Sequence, residues 1–446
     1  MRRRQKILRK TYMISASTFC MERMLDCQKI SDYLKQNGWR PVTQIRQANL
    51  IIISTCSFGQ EEDRSSLEYI NFYLRRKNLG VRVIIAGCLS AINPELLLCF
   101  KDICILSPTT VSDIEKIIPP IIGFSDLSDP NKILAEEVMH NIFLKKTLRL
   151  SSILNSVKKD FKPNFKHIKK AMIFIKTSIS YIPVMRANVN PFLSCNRNGF
   201  YYLRISKGCL GSCSYCAKKF STGNLHSKSF QEIVDEFKLG INTGEKHFYL
   251  LAEDIGCYGV DRQTNIVDLL RAIFKAGDSY NFQIILSNFN AYWFIKYYDE
   301  LEPLLVKNSH KIAYIQVPIQ SGSSYILQLM NRRYTIEDVK ERLLALRKKV
   351  PNINLVTDII VGFPGETQKD FELTKKFLSM IRFQHIDIFG YEKRPNTKAA
   401  TFSGSINLKV IAKRVLELAR MQNCYCNSKN VIGKIVNIVK ENFQHR

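Results

Sequence analysis

Three cysteines stand at the spacing C-x3-C-x2-C in Cys209-Leu-Gly-Ser-Cys213-Ser-Tyr-Cys216, just after the strand-like run Phe200 to Ser206. Thiolates hold iron–sulfur clusters, and a [4Fe–4S] cube takes four of them. This motif offers three. A cube held by three local cysteines leaves one iron open to an exchangeable ligand, which separates a catalyst from an electron carrier. The alternatives are a zinc knot or three unrelated thiols. Zinc motifs usually pair C-x2-C units with a fourth Cys or His at a set distance, and no such partner follows here.

The elements that must position this loop recur regularly after it. Apolar runs at Phe200–Ser206, His247–Glu253, Phe282–Ser287, Ile312–Gln320, Asn352–Gly362 and His385–Tyr391 predict strands. Helical patterns lie between them at Phe230–Leu239, Val267–Ala276, Ala291–Leu305, Ile336–Lys349 and Lys369–Met380, with a last helix at Leu408–Gln422. Six strand–helix units in succession argue for a parallel sheet with right-handed crossovers. Such a sheet is expected to curl into an open partial barrel with its site at the carboxyl ends of the strands. Those ends carry Ala252-Glu253-Asp254, Ser287-Asn288, Pro318-Ile-Gln320-Ser-Gly-Ser323, Gly362-Phe-Pro-Gly365-Glu366-Thr367 and Tyr391-Glu-Lys-Arg394. Carboxylates there can pair an ammonium, and Arg394 a carboxylate. Taken singly, each feature also fits a turn or a cap, Gly365-Glu-Thr367 being an ordinary helix start.

Upstream, strand candidates Tyr12–Ser17, Asn49–Ser54 and Val81–Ala86 alternate with helical stretches at Glu22–Gln36 and Glu61–Arg76, and a weaker helix starts near Pro94. The continuous apolar run Asn49–Ser54 is of the buried parallel type. Cys20, Cys56 and Cys88 each follow one of these strands by one to three residues. In a parallel sheet ligands gather at the carboxyl edge, so the three thiols are expected to converge there; the alternative is buried structural cysteines.

The chain has 446 residues, 46% of them hydrophobic, and a net charge of +27. It is long enough for two or three domains and too apolar to be disordered. No apolar run of about 18 residues predicts a membrane span, and the basic start Met1-Arg-Arg-Arg-Gln-Lys lacks the apolar core of a secretory signal. Thirteen cysteines in such a chain fit a reducing compartment and metal ligation, hence the cytoplasm. Residues 1–10 and 145–186 supply sixteen of the net positive charges. Clustered cations of this kind attract polyanions such as nucleic acid, although a solvated basic face reads the same way.

The cysteine motif resembles that of the radical S-adenosylmethionine (SAM) enzymes, C-x3-C-x-aromatic-C, with Tyr215 as the aromatic. The resemblance implies that Cys209, Cys213 and Cys216 hold a [4Fe–4S] cluster whose open iron chelates SAM. One electron then cleaves SAM to a 5′-deoxyadenosyl radical, which abstracts hydrogen from an unactivated carbon. Three further blocks, Phe19-Cys-Met-Glu-Arg-Met-Leu-Asp26, Ser54-Thr-Cys-Ser57 and Ala86-Gly-Cys-Leu89, look like those of the methylthiotransferases. By that resemblance Cys20, Cys56 and Cys88 bind a second [4Fe–4S] cluster, from which sulfur is delivered and then methylated by a second SAM. Arg23 and Phe19 stand where the family usually has asparagine and glycine. Downstream, Gln320-Ser-Gly-Ser323 and Asp358-Ile-Ile-Val-Gly-Phe-Pro-Gly-Glu-Thr367 match the family's runs, and Tyr391 to Thr397 matches most of a third. The family's P-x-x-R-G is eroded to Lys219-Phe-Ser-Thr222-Gly223, and Asp254-x3-Tyr258-Gly-x-Asp261 looks more like the subgroup acting on ribosomal protein than the one acting on tRNA.

The resemblance therefore implies an α/β chain, an N-terminal parallel α/β methylthiotransferase domain followed by a partial (β/α)6 radical SAM barrel. The expected boundaries are 1–105 for the first domain, 106–199 for a basic connector with helical pieces from Met139 to Lys176, 200–428 for the barrel and 429–446 for a remnant of the family's TRAM β-barrel. Val431 to Lys440 reads as that remnant's first strand, with too few residues after it to close a barrel. Substrate recognition would then come from elsewhere, the basic connector being one candidate. Tyr215, Glu253, Ser287 and Arg394 are the expected SAM-binding residues. Expected partners are tRNA or a protein or peptide substrate, and an electron donor such as flavodoxin or ferredoxin. A single-cluster enzyme of different reaction, or a non-catalytic iron–sulfur protein, is the competing possibility.

Overall fold

The computed structural model describes residues 10–17, 20–100, 102–133 and 199–425, with side chains to 422. The helical pieces expected at 139–176 and the strand at 431–440 lie outside the described residues. The chain divides into two compact units, one of residues 1–163 with 217–223, the other of the remainder.

The first unit is built on a five-stranded, all-parallel sheet in the order β2-β1-β3-β4-β5. Its strands are β1 (Thr11–Ala16), β2 (Arg40–Pro41), β3 (Leu50–Thr55), β4 (Arg82–Gly87) and β5 (Cys104–Leu106). Leu50 to Ile53 are fully buried, the condition under which a strand carries apolar residues on both faces. Helix α1 (Met21–Gln36) covers one face, where Tyr12 Oη bonds Ser31 Oγ at 2.7 Å. Helix α2 (Gln60–Leu74) covers the other through Tyr69, Ile70 and Tyr73, packed on Met13, Ile51, Ile53, Val83 and Ile85. Only a four-residue helix, α3 (Leu89–Ile92), and a 3-10 turn at Pro94–Leu97 stand near the weak helix expected at Pro94. A second short helix, α4 (Ile114–Ile117), closes the described part of this stretch, and α5 (Lys219–Thr222) also belongs to this unit.

The second unit carries six parallel strands in the order β13-β12-β11-β10-β9-β6, each beside its predecessor in sequence. They are β6 (Tyr201–Arg204), β9 (His247–Leu251), β10 (Gln283–Leu286), β11 (Ile312–Gln316), β12 (Leu355–Val361) and β13 (His385–Gly390). A short antiparallel ribbon, β7 (Ser206–Lys207) with β8 (His226–Ser227), follows the first strand. The connecting helices are α6 (Phe230–Asn242), α7 (Ile266–Ala276), α8 (Ala291–Lys296), α9 (Tyr298–Lys307), α10 (Ser324–Leu329), α11 (Ile336–Lys349), α12 (Gln368–Ile381) and α13 (Leu408–Tyr425). The single helix expected at Ala291–Leu305 is thus two, broken at Tyr297, whose ring stacks on Trp293 at 5.9 Å. Period-two alternation sorts the strands: Leu203, Phe248, Leu250, Ile284, Leu286, Ile315, Leu355, Ile359 and Ile388 join one helix-facing core. Tyr202, Tyr249, Tyr314, Gln316 and Asp358 take the opposite face. There Gln316 Nε2 donates to Asp358 at 2.7 Å, and Ser287 donates to Gln316 Oε1.

Candidate metal and cofactor sites

The loop from Gly208 to Cys216 is irregular backbone at the carboxyl end of β6, as six consecutive parallel units require of the site loop. Later elements pin it. Ser214 N donates to Met330 O at 3.0 Å, Ser214 Oγ to Leu329 O at 2.8 Å, and Ala399 N to Ser214 O at 2.8 Å. The last bond comes from the segment after β13, so both edge strands of the open sheet contribute to the loop. A Cβ on Gly211 would stand 3.2 Å from Cys209 Sγ and 3.7 Å from Cys213 Sγ, so a side chain there would crowd the first of these two thiols.

The surroundings of Cys209 favour its thiolate. Cys209 Sγ accepts from Gly211 N at 3.1 Å, and its pKa is lowered first by the neighbouring Cys257, whose own thiol is kept protonated by that proximity and by burial and donates to Asp254 O at 3.2 Å. Glu253 and Asp254 are near enough to oppose ionisation of Cys209. Cys213 Sγ accepts from Arg332 Nη1 at 3.3 Å; this guanidinium also donates to Pro318 O at 2.6 Å and to Tyr334 Oη at 3.0 Å. Tyr215 packs its ring edge-on to Phe363 at 6.4 Å. A thiol trio with a guanidinium and a backbone N–H aimed at its sulfurs is the donor chemistry an iron–sulfur cube takes. Among the described residues no three such groups are close enough to share a single metal ion. A cube makes no such demand, because each thiolate binds a different iron at a different corner.

The other expected residues sort differently. Glu253 follows β9, half-buried beside Cys209. Ser287 ends β10 with its hydroxyl committed to Gln316. Arg394 is buried in the loop after β13, where its carbonyl accepts from Thr397 Oγ1 at 2.9 Å. Asp254, pushed up to about 6 by burial against the pull of Asn290 and Gly256 amides, caps the turn after β9. Glu366 is not available to an ammonium: it accepts from Gly362 N at 2.6 Å and pairs with Arg414 at 2.5 Å, while Thr367 opens α12 with a capping box to Asp370. Arg332 and Cys257 carry no motif of their own, and sequence reasoning missed both.

In the first unit Cys20, Cys56 and Cys88 follow β1, β3 and β4, three adjacent strands in register from Ala16–Ser54 to Thr55–Gly87. Backbone bonds hold the strand ends level: Ser17 N to Ser54 O at 2.9 Å and Cys88 N to Thr55 O at 3.1 Å. Ser66 of α2 clamps Cys56, accepting from its N–H at 3.0 Å and donating to its carbonyl at 2.8 Å. Gly87, at φ +105°, sits where a Cβ would meet Thr55 O at 2.4 Å. Cys20 occupies the N-cap position of α1 without making a side-chain cap. Burial raises the Cys88 thiol, an effect opposed by Arg23, Ser221 and Lys218, while Cys20 adds to it. Cys20 and Cys88 therefore feel one another across the strand ends. Three thiols at neighbouring strand ends are a donor set that a cluster can take.

No helix among the described residues is long and apolar enough to cross a membrane. A model described as the radical SAM superfamily matches residues 203–378, and one described as an uncharacterized protein family, UPF0004, matches residues 13–105. The chain is 28% identical over 94% of its length, and 85% of the relative's, to a probable threonylcarbamoyladenosine tRNA methylthiotransferase of Methanocaldococcus jannaschii. It is 28% identical to the ribosomal protein uS12 methylthiotransferase RimO of Acetivibrio thermocellus, over 92% of this chain and 82% of that one. Among solved structures, the radical SAM methyltransferase TsrM of Kitasatospora setae superposes with a TM-score of 0.53 at 13% identity, covering 88% and 75% of the two chains, a likeness of fold. On the family models, the full-length relatives and the two cysteine trios together, the chain belongs to the radical S-adenosylmethionine methylthiotransferase family.

Proposed function

We propose that this enzyme replaces an unactivated C–H hydrogen of an adenosine in tRNA by a methylthio group. The observation that carries the reading is the meeting of Cys20, Cys56 and Cys88 at three adjacent strand ends, in a chain that also holds Cys209, Cys213 and Cys216 on one loop. When bound, a cluster at each trio supplies the electron that cleaves SAM and the place from which sulfur is delivered. The protein's own residues do the rest. Arg332 and Cys257 hold Cys213 and Cys209 ready to ligate, and Tyr215, Glu253, Ser287 and Arg394 line the path for SAM. The first SAM leaves as methionine and as 5′-deoxyadenosine carrying the substrate hydrogen; sulfide-level sulfur supplied at the N-terminal trio would take that hydrogen's place on carbon, the one electron released on forming the C–S bond passing to the cluster held there; and a second SAM gives the methyl group and departs as S-adenosylhomocysteine. An external one-electron donor of the flavodoxin or ferredoxin class is required, which fits a cytoplasmic enzyme. We assign residues 1–105 to sulfur delivery and 200–428 to radical generation. The net charge of +27 supports a polyanionic substrate over a peptide.

Reconstituted enzyme given reductant, SAM and undermodified total tRNA is expected to yield methylthioadenosine nucleosides by mass spectrometry. The C20A/C56A/C88A variant is expected to keep making 5′-deoxyadenosine and to lose that product. A triple variant that still methylthiolates, or a wild type that modifies a ribosomal-protein peptide and no tRNA, would sink the proposal.

A further inference from the structure

We infer that Arg23 is the redox-positioning residue of the N-terminal site, a buried fixed cation that raises the reduction potential of the cluster held by Cys20, Cys56 and Cys88. The inference rests on the reading that these three thiolates hold a cluster.

Arg23 lies three residues after Cys20, in the first turn of α1, so the two share a helix face. It is only 5% exposed. Among the described residues its ion pair is with Asp26, Nη1 to Oδ2 at 2.9 Å, a contact that leaves the buried Nη1 without a hydrogen bond. Burial works against its charge, and Asp26, Cys88, Cys20 and Glu22, in that order, hold it protonated. The cation thus sits within electrostatic reach of two of the three sulfurs, which come from different strand ends.

Burying a guanidinium costs several kcal/mol before its partners repay it, and a surface Arg–Asp pair would need no such outlay. The placement has a consequence for electron transfer. A cube in its oxidised 2+ state with three thiolates carries one net negative charge, and one-electron reduction makes it two. A fixed cation favours the more negative state, and net charge around a cluster is one of the factors that set its potential. Because Arg does not titrate, the bias is present at every working pH. Asp26 offsets part of it, so removing either partner moves the potential, in opposite directions.

The test uses the full chain in a C209A/C213A/C216A background, reconstituted anaerobically with iron and sulfide and titrated against dithionite by electron paramagnetic resonance. About four irons per chain are expected in this background; their absence overturns both the cluster reading and the inference. With iron retained, Arg23→Gln is expected to lower the reduced-to-oxidised ratio at a fixed potential at least tenfold, about 59 mV for a one-electron couple, and Arg23→Lys to stay near the parent. An Arg23→Gln midpoint equal to the parent's, with iron retained, overturns the inference and leaves the cluster reading standing. Should Arg23→Gln take up no iron, Asp26→Asn decides: a raised midpoint supports the role of Arg23, an unmoved one overturns it.

Discussion

Cys209, Cys213 and Cys216 lie within one loop of eight residues, and side chains and amides from elements more than a hundred residues later hold that loop in place. Cys20, Cys56 and Cys88 span 69 residues of sequence, yet strand register and backbone bonds between neighbouring strand ends bring them level. The first trio is local in sequence and depends on distant packing. The second is distant in sequence and depends on the regular sheet beneath it. Damage to packing should therefore be felt at the barrel trio, and damage to backbone geometry at the N-terminal one.

The largest effect is expected at Arg414. Its guanidinium, on α13, is the only ion-pair partner described for Glu366, whose side chain is fully buried. The loop that Glu366 braces, through Gly362 N, presents Phe363 to Tyr215. Arg414→Met leaves a buried carboxylate uncompensated, a loss of about 3–5 kcal/mol. Urea denaturation should show it, and the E366Q/R414M double variant should recover most of it. If Arg414→Met is as stable as wild type, the barrel loop is not held by this pair. Its iron loading should fall at the barrel trio and not at the N-terminal one.

Gly87→Val tests the other arm. At φ +105° a β-branched residue is strained, and its Cβ would meet the Thr55 backbone. Strain of this kind costs about 1–3 kcal/mol, but the larger consequence is local, because Cys88 N could no longer reach Thr55 O. Iron per chain is expected to drop from about eight to about four, with SAM cleavage retained. Full iron loading in this variant would mean that register does not assemble the N-terminal trio.

The same contrast explains what the sequence discloses. The C-x3-C-x2-C loop, the Leu50–Ile53 run and the six strand–helix units are patterns of adjacent residues, and each stands close to where its period puts it. The N-terminal trio is legible through the strands that precede each cysteine and through the family resemblance of the three blocks, not through a local spacing. Arg332 bonds a sulfur 119 residues away, and Glu366 and Arg414 are 48 apart, so neither pair leaves a local signal. Glu366 reads from sequence as one more carboxylate at a strand end; only the packing of α13 shows that it is already paired. The edge strands β2 and β5, of two and three residues, are too short to show an alternation at all.

The smallest effect separates the units by pH. Asp358 is pushed up to about 7, first by burial and then by Asp387, and Asp254 to about 6, again by burial. An aspartate whose pKa is raised by folding keeps its proton in the native state while the unfolded chain has released it. Stability contributed by these groups is therefore greatest below the unfolded value near 4 and is lost as pH rises through the folded values. The barrel unit should weaken from about pH 4 to pH 7. One pKa unit corresponds to 1.36 kcal/mol, and with coupling to Asp387 sharing the shift, roughly 2 kcal/mol is at stake for Asp358. Asp358→Asn keeps an oxygen to accept from Gln316 Nε2 and removes the titration. Hydrogen exchange followed across this range should show the decline in β9–β13 of wild type, and a variant that declines only to about pH 6, the span that Asp254 still governs. β1–β4 should be unaffected by the substitution, since Asp358, Asp387, which opposes its ionisation, and Gln316 and Arg332, which favour it, all belong to the barrel. A variant whose barrel exchange tracks wild type from pH 6 to 7 would show that Asp358 is ionised in the native state.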